Sequence, residues 1–459
     1  MLTQGQGADI FAKLRKHATA DDVEVIFYST RNALTRFANN VIHQNMAEDN
    51  VMVSMRTVFG GRTARATTNK LDDESLTRVV QASESLAKVQ QPDPDLLPMF
   101  EAKVGTSETL APTRYFEQTA AITPELRAET VKKIVTVAEK HKLTTAGIVS
   151  NSETAEGIFN SRGVARWHRQ TSSEISITML AEDSSGWQKA NSPNVDNLNA
   201  DTLAQIAAQK AIDARKPREI PAGKYTVILE PAAVLDIVGF MFYDFGGLAI
   251  LDQRSFLTNR VGTKLFGENV NIYDEAGHPL QSGSPFDGEG VPRQKVQLVE
   301  NGVVKRLVYA RGTAEKMKRS EFKDKVGPIE PTGHGFPLPN EIGDAPMNIV
   351  FGSNEPRTLE QMVAATERGL LVTRLWYIRE VDPYEKILTG MTRDGTFYVE
   401  DGKVRHGVRN FRFNESLIHM LSNVEAMGTP VRASGEESFD MVVPAMQVRE
   451  FNFTEVTKF

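Results

Sequence analysis

Cysteine is absent from all 459 residues, which excludes disulfides, thiolate nucleophiles, iron–sulfur clusters and every zinc site that needs sulfur. A positive excess is also missing. Against 53 Lys and Arg stand 59 Asp and Glu, a formal net charge of −6, so no chain-wide field attracts phosphate backbones or anionic lipid. Neither nucleic acid nor a membrane is expected as a partner. No segment approaches the roughly 20 apolar residues that cross a bilayer, and MLTQGQGADIFAKLRKH at the N-terminus has no apolar signal core. A cytoplasmic location is expected. The chain also lacks a fixed-period repeat, a Walker phosphate loop and a G-x-S-x-G nucleophile elbow, and Gly239, Gly246 and Gly247 do not form a dinucleotide fingerprint. No cofactor is expected.

The composition that remains, 40% hydrophobic and 24% charged, is that of a globular chain with two or three domains. Residues 8–18 read as a short helix and Val23 to Tyr28 as a strand. Apolar and polar residues alternate from Asn50 to Val58, and Gly60-Gly61 supplies the positive φ of a tight hairpin before RTARATT. After Asp72-Asp73, Leu76, Val79, Val80 and Ala87 share a helical face. Four prolines between Gln91 and Pro112 predict an extended connection. Thr123-Pro124-Glu125 predicts a capped helix start, strands are expected at 144–150, 157–160 and 172–180, and another helix near 202–215. A boundary is expected at Lys216 to Pro221. The expected fold class is α+β, with an N-terminal α/β domain at 1–219 and a predominantly β domain at 220–459 whose short runs include 296–299, 303–309, 347–351, 369–377 and 395–399.

The eight histidines, His17, His43, His141, His168, His278, His334, His406 and His419, are never closer than thirteen positions. A zincin helix needs two imidazoles about one turn apart and a carboxylate base, and nothing here supplies them. Glu415 and His419, four apart in NESLIHML, read as a surface pair on a helix. His168 reads as a strand-surface residue. His334, between glycines in PTGHGFPLP, stands out because glycine lets a backbone approach a ligand, although a turn histidine is the favoured reading. Asp287 and Glu289 in SPFDGEG bring two carboxylates together, as a structural turn or as substrate or cation contacts, without EF-hand spacing.

Two regions carry a resemblance. TRFANNVIHQNMAEDNVMVSMRTVFGGRTARATTNKLDDESL spans 35–76, and SPFDGEGVPRQKVQLVENGVV, GLLVTRLWYI and LTGMTRDGTFYVEDGKV span 284–304, 369–378 and 388–404. In order and length the chain resembles the TldD/PmbA family, once called modulators of DNA gyrase. Its active members are zinc metallopeptidases whose motif, a histidine-glutamate pair with a second histidine five positions on, follows a strand and a proline and is completed by a later cysteine. Matched to that motif, Val227 to Pro231 is the strand and proline. Gly239 and Phe240 then take the histidine and glutamate places, and Asp244 the second histidine place. Glycine offers no ligand, phenylalanine cannot take a proton from bound water, and the absent cysteine removes the remaining ligand whatever the register. Ile237 to Phe242 reads as buried apolar packing.

The departure matches the PmbA (TldE) branch, which lacks the motif. The resemblance implies a metal-free, non-catalytic subunit that pairs with a TldD-like zinc protease subunit acting on unfolded peptides, in a homo- or heterodimer; the candidate substrate contacts, Asp287, Glu289 and His334, come from their own loop settings. Two other readings stand beside it. One is a stand-alone hydrolase using Asp244, Asp287 and Glu289 around a metal, and the other a homodimeric peptide-binding scaffold.

Overall fold

The computed structural model describes residues 1–102 and 113–457. Its first sheet has six antiparallel strands: β1 (Asp22–Ala38), β2 (Val41–Phe59), β3 (Arg62–Thr68), β4 (Thr144–Asn160), β5 (Ala165–Leu180) and β6 (Ser185–Ser192), in the order β3-β2-β1-β4-β5-β6. Both tight hairpins use two residues of positive φ, Asn39-Asn40 at 50° and 63° and Gly60-Gly61 at 50° and 81°. That turn twist matches the strands. The expected strands at 144–150 and 157–160 are one strand, because Ser152 to Glu156 pair continuously with β1 and β5.

Four helices cover one face of this sheet. α1 (Gln4–His17) and α2 (Asp73–Val89) pack Leu14, Leu76, Val79 and Val80 on Val25, Phe27, Val53 and Met55. Beyond the short α3 (Glu117–Ala120), α4 (Pro124–Lys140) and α5 (Ala200–Asp213) pack Val131, Ile134, Ala204 and Ala208 on Phe37, Val149, Ile175 and Ile177. These strand positions are all odd-numbered, as the two-residue strand period requires. The opposite face meets the second half of the chain where Ile26 and Ile158 touch Phe286. Asp72 and Thr123 cap α2 and α4 as their types predict, accepting from Ser75 N and Leu126 N. Residues 91–102 of the expected connection contain neither helix nor strand, and 103–112 lie outside the described residues.

Every strand after residue 220 belongs to one of two further sheets. One runs through Val303–Val304, Val296–Glu300, Asn271–Asp274, Ile349–Gly352, Met441–Val443 and Val431–Ala433. In the other, Arg368–Asp382, β7 (Gly223–Leu229), Met446–Val456, Phe411–Ser416 and Ile387–Glu400 follow one another, and the last pairs back with the first, closing a ring. Val227, Ile228 and Leu229 are all fully buried, the continuous apolar run of a strand covered on both faces. The architecture is α+β, with a β-rich second half. Val303–Tyr309 is not one strand: Val303–Val304 forms a short strand, Val308 makes an isolated bridge with Gly246, and the chain then leads into the helix Arg311–Lys318.

Candidate functional site

β7 ends at Leu229, and α6 (Pro231–Val238) starts on the proline, whose missing N–H costs nothing in a first turn. Glu230 before it is held by Lys210 Nζ at 2.7 Å and by the Thr373 hydroxyl at 3.2 Å. From Ala233 to Val238 every residue of α6 is buried, and the chain tightens into a 3-10 turn over Gly239–Phe245.

Gly239, Phe240 and Asp244, the positions matched to the family's metal motif in the sequence, all lie on this turn. Gly239 has a helical φ of −56°, so glycine is not needed there for its conformational range. It is needed for space, because a Cβ would overlap the side chain of Ser438. Phe240 packs partly buried against the main core. Asp244 is buried, and its Oδ2 lies 2.6 Å from Lys386 Nζ while Oδ1 accepts from Phe256 N at 3.1 Å. Burial pushes its pKa up and Lys386 offsets only part of that. Lys386 also holds Glu380 at 2.6 Å. These residues do not fit a zinc ion: one place admits no side chain, one is a hydrocarbon, and the third carboxylate is already engaged.

The segment that closes over Gly239 is fastened from both sides. Oδ1 of Asp236, on α6, accepts from the backbone N–H groups of Glu436 and Glu437, each at 3.0 Å. Its Oδ2 has no partner, and burial pushes the carboxyl up to about 7 against those two donors. Lys189 of β6 reaches Gly435 O at 3.0 Å and Glu436 Oε1 at 3.3 Å. Asn191 donates to Asp440 at 2.6 Å, and Arg432 holds the same carboxylate at 3.0 Å. Nearby, the guanidinium of a buried Arg374–Asp394 ion pair lies 4.7 Å from the Trp187 ring and 5.4 Å from the Trp376 ring. Neither Asp236 nor Ser438 was singled out from the sequence. Asp236 left a signal, an acid inside the otherwise apolar run AAVLDIV. Ser438 left none.

Asp287, Glu289 and His334 do converge, around Gly335, but as buried structural groups. Asp287 Oδ1 accepts from Glu289 N and Val291 N at 2.9 Å each, and Oδ2 from Gly335 N at 2.8 Å, a carboxylate that caps a turn. Glu289 meets Arg311 at 3.3 Å through the backbone N–H and at 3.4 Å through the guanidinium. Burial, followed by the neighbouring Asp287, pushes Glu289 up to about 7. It borders a pocket of about 590 Å³ with Leu96, Leu97, Leu248 and Leu338. His334 Nδ1 lies 3.0 Å from Thr332 Oγ1, and Nε2 lies 3.0 Å from Asp274 Oδ1, with both residues fully enclosed. Burial alone would raise Asp274, but His334, with Arg293 beyond it, holds it below the usual carboxylate range.

Two histidine expectations need correction. Glu415 is not on a helix with His419: it lies on the strand Phe411–Ser416, is buried, and accepts from Asn452 N at 2.7 Å as well as lying 2.8 Å from His419 Nδ1. His168 is on a strand but buried, within 3.4 Å of Gln170, because its face of β5 is covered. Among the described residues, no group of three or more His, Asp or Glu side chains is placed to hold a metal ion, and no helix is long and apolar enough to cross a membrane.

Comparison with known proteins gives this geometry a setting. Metalloprotease PmbA of Escherichia coli O157:H7 is 22% identical over 84% of this chain and 83% of its own length. A metalloprotease of Methanothermobacter thermautotrophicus is 23% identical over 64% and 65%. The crystal structure of TldE from Thermococcus kodakarensis superposes with a TM-score of 0.85 at 20% identity, covering 98% of this chain and all of the other. A Thermotoga maritima structure with a gyrase-modulator designation gives 0.83 at 22%, covering 98% and 99%. Residues 23–87 match PmbA/TldA metallopeptidase domain 1 and 117–215 the central domain. With residues 222–455 matching the C-terminal domain, the chain belongs to the PmbA/TldD metallopeptidase family.

Proposed function

We propose that this chain is the metal-free, non-catalytic member of a two-component peptidase, resembling the PmbA/TldE branch and working beside a TldD-like zinc-bearing subunit on unfolded peptides. The observation that carries the reading is the contact between Gly239 and Ser438, which leaves no room for a ligand at the first position of the motif. The Asp244–Lys386 pair and the absence of cysteine support it from independent directions. A stand-alone carboxylate metal site draws no such support, since Asp244, Asp287 and Glu289 each have protein partners.

The test is co-expression of the tagged chain with its native neighbours, alongside zinc analysis and peptide hydrolysis by the isolated chain. Recovery of a homologue bearing the histidine-glutamate motif, with cleavage only in the complex, is the expected result. Stoichiometric zinc and cleavage by the isolated chain would refute it.

A further inference from the structure

Of the three side chains that converge around Gly335, Glu289 is the one that borders a pocket. Asp287 engages three backbone N–H groups at 2.8 to 2.9 Å, and His334 is enclosed between Thr332 and Asp274. Glu289 is only 4% exposed, yet its carboxylate, among the described residues, is within hydrogen-bonding range of Arg311 alone, at 3.3 and 3.4 Å. Charge-assisted hydrogen bonds settle at about 2.7–2.9 Å, so this carboxylate has acceptor capacity unspent. The same chain shows a filled case: the buried Glu24 carboxylate lies between Arg56 at 3.0 Å and Arg65 at 2.7 Å. Glu289 has a cation on one side and open space on another.

That space, about 590 Å³, is walled by both halves of the chain. Leu96 and Leu97 come from the connection after α2, Leu248 and Leu338 from the second half, and all four are left half-buried, although leucine is among the residues most often enclosed. The charged groups of the lining are Asp93, Asp95 and Glu289 against Lys316. Asp93 is exposed and Asp95 half-buried, which puts them at the mouth, and Asp95 is already met by Lys316 at 3.9 Å and Arg319 at 2.8 Å. Glu289 is the acid at the buried end. Apolar walls that end on a carboxylate suit an aliphatic stem with a cation at its tip: the stem gains from burial, and an ammonium brings three donors. An anionic ligand would meet like charge, and a purely apolar one would leave the acceptors of Glu289 unfilled.

We propose that this pocket binds the ammonium group of an aliphatic amine, presented by a peptide as a lysine side chain or as an N-terminal amino group, with Glu289 as its counter-ion. Glu289 would then stand between two cations, Arg311 and the ligand, as Glu24 stands between Arg56 and Arg65. That a peptide presents the amine rests on the proposed role in proteolysis; that the pocket takes an amine does not.

Calorimetric titration of the full chain with three small amides tests this. Nα-acetyl-lysine amide carries the side-chain ammonium, leucine amide the α-ammonium, and Nα-acetyl-norleucine amide the lysine carbon stem without charge. At pH 7.5 one of the two ammonium ligands should bind roughly tenfold or more tightly than the norleucine amide, the worth of one charge-assisted hydrogen bond, and the tighter of the two identifies the source. Glu289→Gln, which keeps the size and removes the charge, should abolish that margin. In the parent chain, Glu289 is held at about 7 by burial, with Asp287, Arg311, Arg56 and Glu24 as its charged neighbours and Asp95 and Lys316 sharing the pocket lining. Affinity for the lysine amide, whose own ammonium does not titrate in this range, should therefore rise on the order of tenfold from pH 6 to pH 8. No binding, equal binding of all three, tighter binding of the norleucine amide, or an ammonium preference that survives Glu289→Gln overturns the proposal; if that variant does not fold, a pH-independent affinity in the parent chain overturns it. Zinc content and hydrolysis do not enter this readout, so its failure leaves the proposed role untouched.

Discussion

Ser438 stands where the first side-chain atom of any larger residue at position 239 would go. The two residues are 199 positions apart, yet Asp236, one turn before Gly239, holds the backbone of Glu436 and Glu437 and so sets how closely Ser438 approaches. Position 239 is therefore part of a packed contact between α6 and the segment around Ser438.

Restoring the motif's side chains alone should not restore a metal site. Gly239→Ala is expected to cost about 1–3 kcal/mol through overpacking, and Ser438→Gly in the same chain should recover a large part of it, a coupling that a double-mutant cycle in urea would measure. The triple variant Gly239→His, Phe240→Glu, Asp244→His should show no stoichiometric zinc by elemental analysis.

Lys386 is nearly enclosed between Asp244 and Glu380. Lys386→Met leaves the Asp244 carboxylate buried without its cation and should destabilise by about 3–5 kcal/mol. Adding Asp244→Asn removes that charge, and chemical denaturation should then show most of the loss recovered.

Asp236 sets a pH dependence. Its folded pKa of about 7 lies above the roughly 3.9 of an unfolded aspartate. The folded state thus binds the extra proton between those values. Its stabilising contribution is complete below about pH 4 and is lost as the pH rises through 7. Asp236→Asn keeps an acceptor for Glu436 N and Glu437 N while removing the ionisation. Its stability relative to the parent should improve from pH 5 to pH 8 by an amount on the order of 2 kcal/mol, as read from denaturation midpoints.

The His334–Asp274 pair works in the opposite direction. With its pKa held low, Asp274 contributes stability that is present above the unfolded value of roughly 3.9 and is lost as the pH falls through the folded one. His334→Ala should cost about 3–5 kcal/mol near neutrality. The gap to the parent should narrow in acid, where protonation neutralises the stranded carboxylate, and thermal unfolding at pH 7 and pH 4 measures both.

Much of the first half could be read directly. Gly60-Gly61, the Asp72 cap and Thr123-Pro124 act through their immediate neighbours, so their residue types were enough to locate a hairpin and two helix starts. His168 and Glu415 were misjudged because burial depends on what packs over a strand, and alternation alone does not reveal which face is covered. The tract 303–309 looked like one strand because apolar composition does not distinguish a continuously paired segment from one that pairs only at Val303–Val304 and Val308.

The functional question divides along the same line. Sequence alone determined that no thiolate ligand exists and that positions 239, 240 and 244 hold glycine, phenylalanine and aspartate, because covalent identity decides which atoms are available to bind a metal. Only the tertiary structure decided that Ser438 fills the space beside Gly239 and that Lys386 claims Asp244. Those contacts join segments far apart in the chain, and distances across a core are set by how whole elements pack against one another.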